Sequence, residues 1–303
     1  MDNKRVLLAV VLSLAVLIGW NLLFPPVPPV HQKQIKNATT RQSQNSVSTT
    51  VHSQSYAQTK SENVFKFNPA RGQKITIETP LYRAVFNSQG GILEHFILKK
   101  YKQSIEPDAP NIDLITPEAL HKGPLGIVWN KIPTWIKAEW STNGGDKHLA
   151  PGQSHTLSFV GRLGNLELHR QLTFYGDSYQ IKETLQLINL TSSPVQGEFS
   201  FIISSPGLSK ENNRYNRTRI AYFNKDGLHE ESDKDDLKPG LKIEPPVQWG
   251  AITSNYFLLS LIPGATDMTF KAKLEKNIYR LALSQNIQIA ANIPAQISCT
   301  YYL

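Results

Sequence analysis

Hydrophobic and polar positions follow two rhythms along the chain. From Val6 to Phe24, nineteen consecutive positions carry no charge. At a rise of about 1.5 Å per residue they make a helix of about 28 Å, close to the roughly 30 Å hydrocarbon core of a bilayer. From Ile75 onward the dominant period is two. In "LELHRQLTF", Leu166, Leu168, Leu172 and Phe174 share one face. Glu167, His169, Gln171 and Thr173 take the other, and Arg170 is an exception on the apolar side. After the turn signal Gly176-Asp177, "YQIKETLQL" sets Tyr179, Ile181, Leu185 and Leu187 against Gln180, Lys182, Thr184 and Gln186, so the two segments predict a hairpin with one wet face. "ITIETPLYRAVFNSQGGILEHFILKKY" predicts further strands turned at Asn87 to Gly91, and "FSFIIS", "NYFLLSLIP", "MTFKAKL" and "NIQIAANI" add others. About 230 residues of short strands punctuated by Pro and Gly predict an all-β fold: one large antiparallel β-sandwich, not several domains.

The apolar run reads as an uncleaved anchor. A secretory leader has a shorter apolar region, about 7 to 15 residues, and a small-residue cleavage site. Here the exit is Trp20-Asn21-Leu22-Leu23-Phe24-Pro25-Pro26. That exit is bulky, and Trp20 suits the membrane interface. Lys4 and Arg5 precede the run, so the positive-inside rule sets the N-terminus in the cytoplasm and everything after Phe24 across the membrane. A cleaved leader is the alternative. Residues 25–74 open with Pro25, Pro26, Pro28 and Pro29 and continue in Gln, Asn, Ser and Thr. Such a composition predicts a disordered tether, with a root-mean-square reach on the order of 40 Å. The organisation expected is therefore an anchor over 1–24, a tether over 25–74 and a β-sandwich over 75–303.

Charge removes one class of function. Of the formal +8, residues 25–75 hold +6 (seven basic, one acidic), whereas residues 76–303 hold only +1 (23 basic, 22 acidic). The basicity belongs to the tether, and a nucleic-acid-binding domain would concentrate it on a folded face. Cys299 is the single cysteine, so no internal disulfide forms. Its alternation with Ile297 and Tyr301 predicts a buried, structural thiol.

Several stretches, in order, carry a family resemblance: "MDNKRVLLAVVLSLAVLIGWNLLFPP", the polar tether, "ETPLYRAVFNSQGGILEHFILKKYK", "LTFYGDSYQIKETLQLIN" and "VQWGAITSNYFLLSLIPGATD". Together the chain resembles the N-terminal part of bacterial YidC-type membrane-protein insertases. The resemblance implies a periplasmic β-supersandwich related to galactose mutarotases, hung from the first transmembrane helix of an inner-membrane protein. It also implies partners: inner-membrane lipids, nascent membrane proteins and components of the Sec translocon. No cofactor is expected. The family continues with an amphipathic helix and further membrane helices, whereas this chain stops at Tyr302-Leu303 within an alternating pattern. The expectation is a fragment or a truncated gene without the insertase core.

Two other readings share the fold. Mutarotase-like catalysis needs a histidine acid and a carboxylate base converging on a sugar. The candidate pairs are Glu94 with His95 and Glu167 with His169. A binding role instead calls on exposed aromatics, for which Trp129, Trp135 and Trp140 in "GIVWNKIPTWIKAEW" are the candidates for holding a peptide or glycan. Neither the glycine pairs nor the histidines show phosphate-loop or metal-ligand spacing. "HEESDKDDLKPG", residues 229–240, predicts a solvated, mobile excursion.

Overall fold

The computed structural model of the chain describes residues 72–208 and 216–303. The expected span and most of the tether lie outside the described residues, and with them Lys4, Arg5, Val6, Trp20 and Phe24. Among the described residues, no helix is long and apolar enough to cross a membrane.

Among the described residues twenty strands form the fold, beginning with β1 (Lys74–Glu78), β2 (Tyr82–Asn87), β3 (Ile92–Lys102), β4 (Asn111–Asp113), β5 (Ile127–Trp129), β6 (Ile132–Pro133) and β7 (Glu139–Ser141). Next come β8 (Lys147–His148), β9 (Ser154–Leu163), β10 (Leu166–Tyr175), β11 (Gln180–Asn189), β12 (Val195–Ser205), β13 (Arg219–Asn224) and β14 (Gly227–Glu231). The last are β15 (Leu241–Ile243), β16 (Val247–Thr253), β17 (Leu258–Pro263), β18 (Thr269–Glu275), β19 (Ile278–Ile289) and β20 (Ala295–Tyr302).

A large nine-stranded sheet runs β14-β13-β16-β17-β20-β11-β10-β9-β7, a second sheet of six runs β15-β18-β19-β12-β5-β6, and a small sheet of five runs β4-β3-β2-β1-β8. All strand pairs are antiparallel except β1 with β8. The large sheet is the common backing. Phe86 of the small sheet meets Phe174 edge-on at 5.6 Å and Phe159 at 6.2 Å, both on the large sheet. At the other end of the large sheet, Tyr222 lies 6.3 Å from Phe270 of the second sheet. Each large buried side chain of this kind contributes about 1.5–3 kcal/mol through removal from water, and one apolar cluster draws on all three sheets.

Period-two patterning explains the hairpin at the centre. In β10 the buried positions are Leu166, Leu168, Arg170, Leu172 and Phe174, and in β11 Ile181, Glu183, Leu185, Leu187 and Asn189. The strands pair with Arg170 opposite Leu185 and Glu183 opposite Leu172. Glu183 breaks the apolar face as Arg170 does, and the two breaks lie diagonally across the ladder.

β20 fills the gap between β11 and β17. It is the strand through which the two halves of the large sheet pair. Cys299 on β20 is buried as its alternation predicts, and burial pushes its thiol well above the usual range.

The excursion at 229–240 is ordered, contrary to expectation. β14 takes its first residues, and a short helix follows over Lys234–Leu237. Asp233 caps that helix through a side-chain oxygen that accepts from the Asp235 N–H, and Leu237 is fully buried. Cap and anchor outweigh the mean polarity of the stretch.

Candidate functional site

Two charged centres stand out, and they differ in where they face. The first lies inside the core. Arg170 and Glu183 are both fully buried and form a bidentate pair, with Nε to Oε1 at 2.6 Å and Nη2 to Oε2 at 2.8 Å. Tyr301 donates its hydroxyl to Glu183 Oε2 at 2.8 Å. The remaining Arg170 donors reach the carbonyls of Gly91 and Leu125. Both residues stand in the left-handed region, at φ 59° and 52°. For Leu125 that conformation carries strain, and the arginine holds the carbonyl it presents. Burial works against the Arg170 charge, but Glu183 outweighs it and holds the guanidinium above its ordinary pKa. Burial likewise pushes Tyr301 well up, so its hydroxyl stays a donor. Every group in this centre is engaged, which marks it as a tie between segments leading into all three sheets.

The second centre is a groove of about 440 Å³ on the outer face of the second sheet. Inward positions of β12 and β19 carry Phe199, Phe201, Leu281 and Leu283 into the core. The alternate positions therefore face outward, and Ser200, Ile202, Ala282 and Ser284 line the groove with Val128 of β5. Ser200 and Ser284 share a hydrogen bond at 2.8 Å. Pro239 and Gly240, just beyond the Lys234–Leu237 helix, line one end together with Leu241 of β15.

Five cationic side chains line this groove, Lys131, Lys242, Lys271, Lys273 and Arg280, against the two carboxylates Glu198 and Glu275. Lys271 pairs with Glu198 at 2.6 Å. Glu275 takes Lys122 at 2.5 Å and Lys273 at 3.3 Å, and the hydrogen bond from Lys122 holds its carboxyl below the ordinary value. Lys242 pairs outward with Glu244 at 2.5 Å. Lys131 and Arg280 have no ion-pair partner among the described residues. Arg280 is half-buried, its guanidinium lies 5.8 Å from the centre of the Trp135 ring, and its buried Nε has no hydrogen-bond partner among the described residues. Burial lowers its pKa, offset in part by Glu275.

The residues singled out from sequence are distributed elsewhere. Trp129 and Trp135 are buried, at 6% and 2% exposure, so neither presents a ring face to a partner. Trp140 is half-buried and donates Nε1 to the Thr134 carbonyl at 3.0 Å. Trp135 serves instead as a platform, with Gly123 and Gly126 so close that an added Cβ would come within 2.7 Å of its ring. Glu94 and His95 diverge. Glu94 is buried, accepts from Asn87 Nδ2 at 2.6 Å and pairs with Lys74 at 3.2 Å. His95 bonds Asp113 at 2.6 Å. Glu167 and His169 do meet, at 2.5 Å, but they bond each other on a partly exposed strand face outside the groove.

Sequence reasoning passed over Glu183, Arg280 and the groove. Arg170 was the available signal: a charge at an inward position calls for an opposite one within reach.

Comparison with known proteins fills in the relationship. Residues 74–303 match the family model described as the YidC periplasmic domain. The chain is 42% identical to a membrane protein insertase YidC of Maridesulfovibrio salexigens, over 100% of this chain and 56% of that one. It is 38% identical to another from Oleidesulfovibrio alaskensis, with the same coverage of both chains. It thus spans 56% of the length of these curated relatives. Among solved structures, a galactose mutarotase-like protein from Lactobacillus casei aligns with 76% of this chain and 99% of its own, at 10% identity and a TM-score of 0.48. At so low a score, nothing about this chain follows from that likeness.

Proposed function

This chain belongs to the YidC periplasmic-domain family, and on that premise we propose that it serves an insertase that helps inner-membrane proteins insert and fold. The observation that carries the reading is the family match over residues 74–303, continued by 42% identity to a YidC across the whole chain. In this reading residues 1–24 anchor the chain, with Lys4 and Arg5 held in the cytoplasm, Val6 to Phe24 spanning the bilayer and Trp20 at its interface. Residues 25–74 form the tether, and residues 75–303 fold in the periplasm. Its partners are inner-membrane lipids, nascent membrane proteins and components of the Sec translocon. Its part is to bind and to position rather than to catalyse. Both candidate pairs support that reading: Glu94 and His95 belong to different networks, and Glu167 and His169 bond each other outside the groove.

Fusions to alkaline phosphatase, an enzyme active only outside the cytoplasm, test the topology. A fusion after Leu303 is expected to be active and one within the first five residues inactive. The reverse pattern overturns the reading. In cells depleted of their own insertase, these 303 residues alone are expected not to restore growth. Restored growth would assign the insertion activity itself to this chain.

A further inference from the structure

We propose that the groove on the outer face of the second sheet binds an extended polypeptide segment carrying a carboxylate beside an apolar side chain. Three observations converge on that ligand.

The first is charge without an ion-pair partner. Of the groove's cations, Lys271 and Lys273 are engaged by Glu198 and Glu275, and Lys242 turns to Glu244. Arg280 and Lys131 remain. In this half-buried guanidinium the buried Nε has no acceptor among the described residues, and an anion at the groove would complete it. One guanidinium fork matches one carboxylate. A phosphate dianion would instead have to draw the lysines away from Glu198 and Glu275.

The second is the platform. Trp135 lies against one side of the Arg280 guanidinium, and the surrounding glycines fix its ring. Arg280 is thereby held in place before a ligand arrives, which lowers the ordering cost of binding.

The third is shape. The groove is lined from β15, at one edge of the sheet, across β18, β19 and β12 to β5. Four inter-strand gaps of about 4.8 Å amount to about 19 Å. That is the length of about six extended residues. Val128, Ile202 and Ala282 give the floor apolar patches for side chains next to the carboxylate. An inorganic ion would occupy only a corner of such a channel.

This inference stands apart from the insertase reading, because it is tested on the purified chain with no insertion assay. The full 303-residue chain in detergent micelles is titrated into a fluorescein-labelled hexapeptide of alternating leucine and glutamate, with fluorescence anisotropy as the readout. Saturable binding is expected, weakened about tenfold or more when glutamine replaces glutamate or when Arg280→Gln removes the guanidinium. Lys131→Glu, on the exposed rim, is expected to weaken binding about threefold or more without lowering the unfolding temperature. It decides the matter if Arg280→Gln does not fold. Equal affinity for the glutamine peptide, unchanged affinity in the folded variants, or no binding at all overturns the proposal. So does displacement of the peptide by inorganic phosphate or phosphatidylglycerol vesicles at lower concentrations than by unlabelled peptide, since the site would then belong to a phosphate group.

Discussion

Arg170 and Arg280 both stand on long strands of the same sandwich and end in opposite circumstances. Arg170 points inward, is buried from water, and has all three guanidinium nitrogens engaged: by a carboxylate in bidentate contact and by two backbone carbonyls. Arg280 points outward into a groove, keeps part of its surface, and meets an aromatic ring in place of a carboxylate. A buried charge is tolerable when the fold itself supplies the partner, and the result is then a rivet. When the fold supplies a platform and a channel but no carboxylate in contact, the arginine is available to something outside the chain.

The largest test of this contrast is to leave the rivet half made. Glu183→Ala is expected to cost about 3–5 kcal/mol in urea unfolding followed by tryptophan fluorescence, because Arg170 is left buried without its carboxylate. The triple variant Arg170→Met, Glu183→Leu, Tyr301→Phe should recover most of that loss. A cost below about 1 kcal/mol for the single variant would mean that water reaches Arg170 when Glu183 is gone. Cys299, paired with Glu183 across β11 and β20, supplies a second readout. Its buried thiol should stay unlabelled by maleimide in the native chain and react once Glu183→Ala opens the site.

Next in size is the platform beneath Arg280. Gly126→Ala drives a methyl to 2.7 Å from the Trp135 ring and 2.8 Å from the Gly123 carbonyl. Overpacking of this kind should cost about 1–3 kcal/mol. It should also weaken peptide binding by displacing the ring, and normal stability would show the loop to be softer than its contacts imply.

Arg280→Met is expected to leave stability unchanged or raise it by up to about 1 kcal/mol, since it removes an unpaired charge and keeps an apolar stem. A loss above about 2 kcal/mol would show that Arg280 is structural after all and would erase the contrast.

The smallest effect is that of pH on the groove's wall. The hydrogen bond from Lys122 holds Glu275 below the ordinary value of 4.5. A carboxylate depressed in the folded state contributes stability that is fully present above that value and is lost as pH falls through the lower folded one. Thermal unfolding should therefore move to lower temperature below pH 4.5, and Glu275→Gln should remove part of the slope. An unchanged slope would assign the acid sensitivity to other carboxylates, with Glu78 under Lys99 the next candidate.

Alternation made most of the sandwich legible. The β10–β11 hairpin and the inner face of β18 follow from period two, the turn at Asn87 to Gly91 from its glycines, and β12 and β17 from short apolar runs that are buried continuously. Arg170 was visible as an exception, but its meaning was not: alternation also puts Glu183 on the inner face between Ile181 and Leu185, yet only the strand register sets the two charges diagonally within reach. The groove could not be read in advance for a different reason. Its walls come from five separate segments, near 128–131, 198–202, 239–242, 271–275 and 280–284, and only the sheet order brings them together. The tryptophans misled because a dense run of aromatics resembles a binding surface. In the fold, Trp129 and Trp135 are packed inward, Trp135 against the glycines Gly123 and Gly126 and Trp129 near Gly197.

The place of β20 sets a clock on folding. The half of the large sheet built from β7, β9, β10 and β11 and the half built from β13, β14, β16 and β17 pair with each other only through residues 295–302. In a chain delivered N-terminus first, each half waits with an open edge, at β11 and at β17, until those residues arrive. Pairings between positions so distant in sequence are slow to form, and open edges in the meantime can recruit other strands. Tyr301 also arrives with that strand, so the rivet around Arg170 is completed only once β20 has emerged. Every other strand of the large sheet is delivered before β20, and only with β20 can the sheet close.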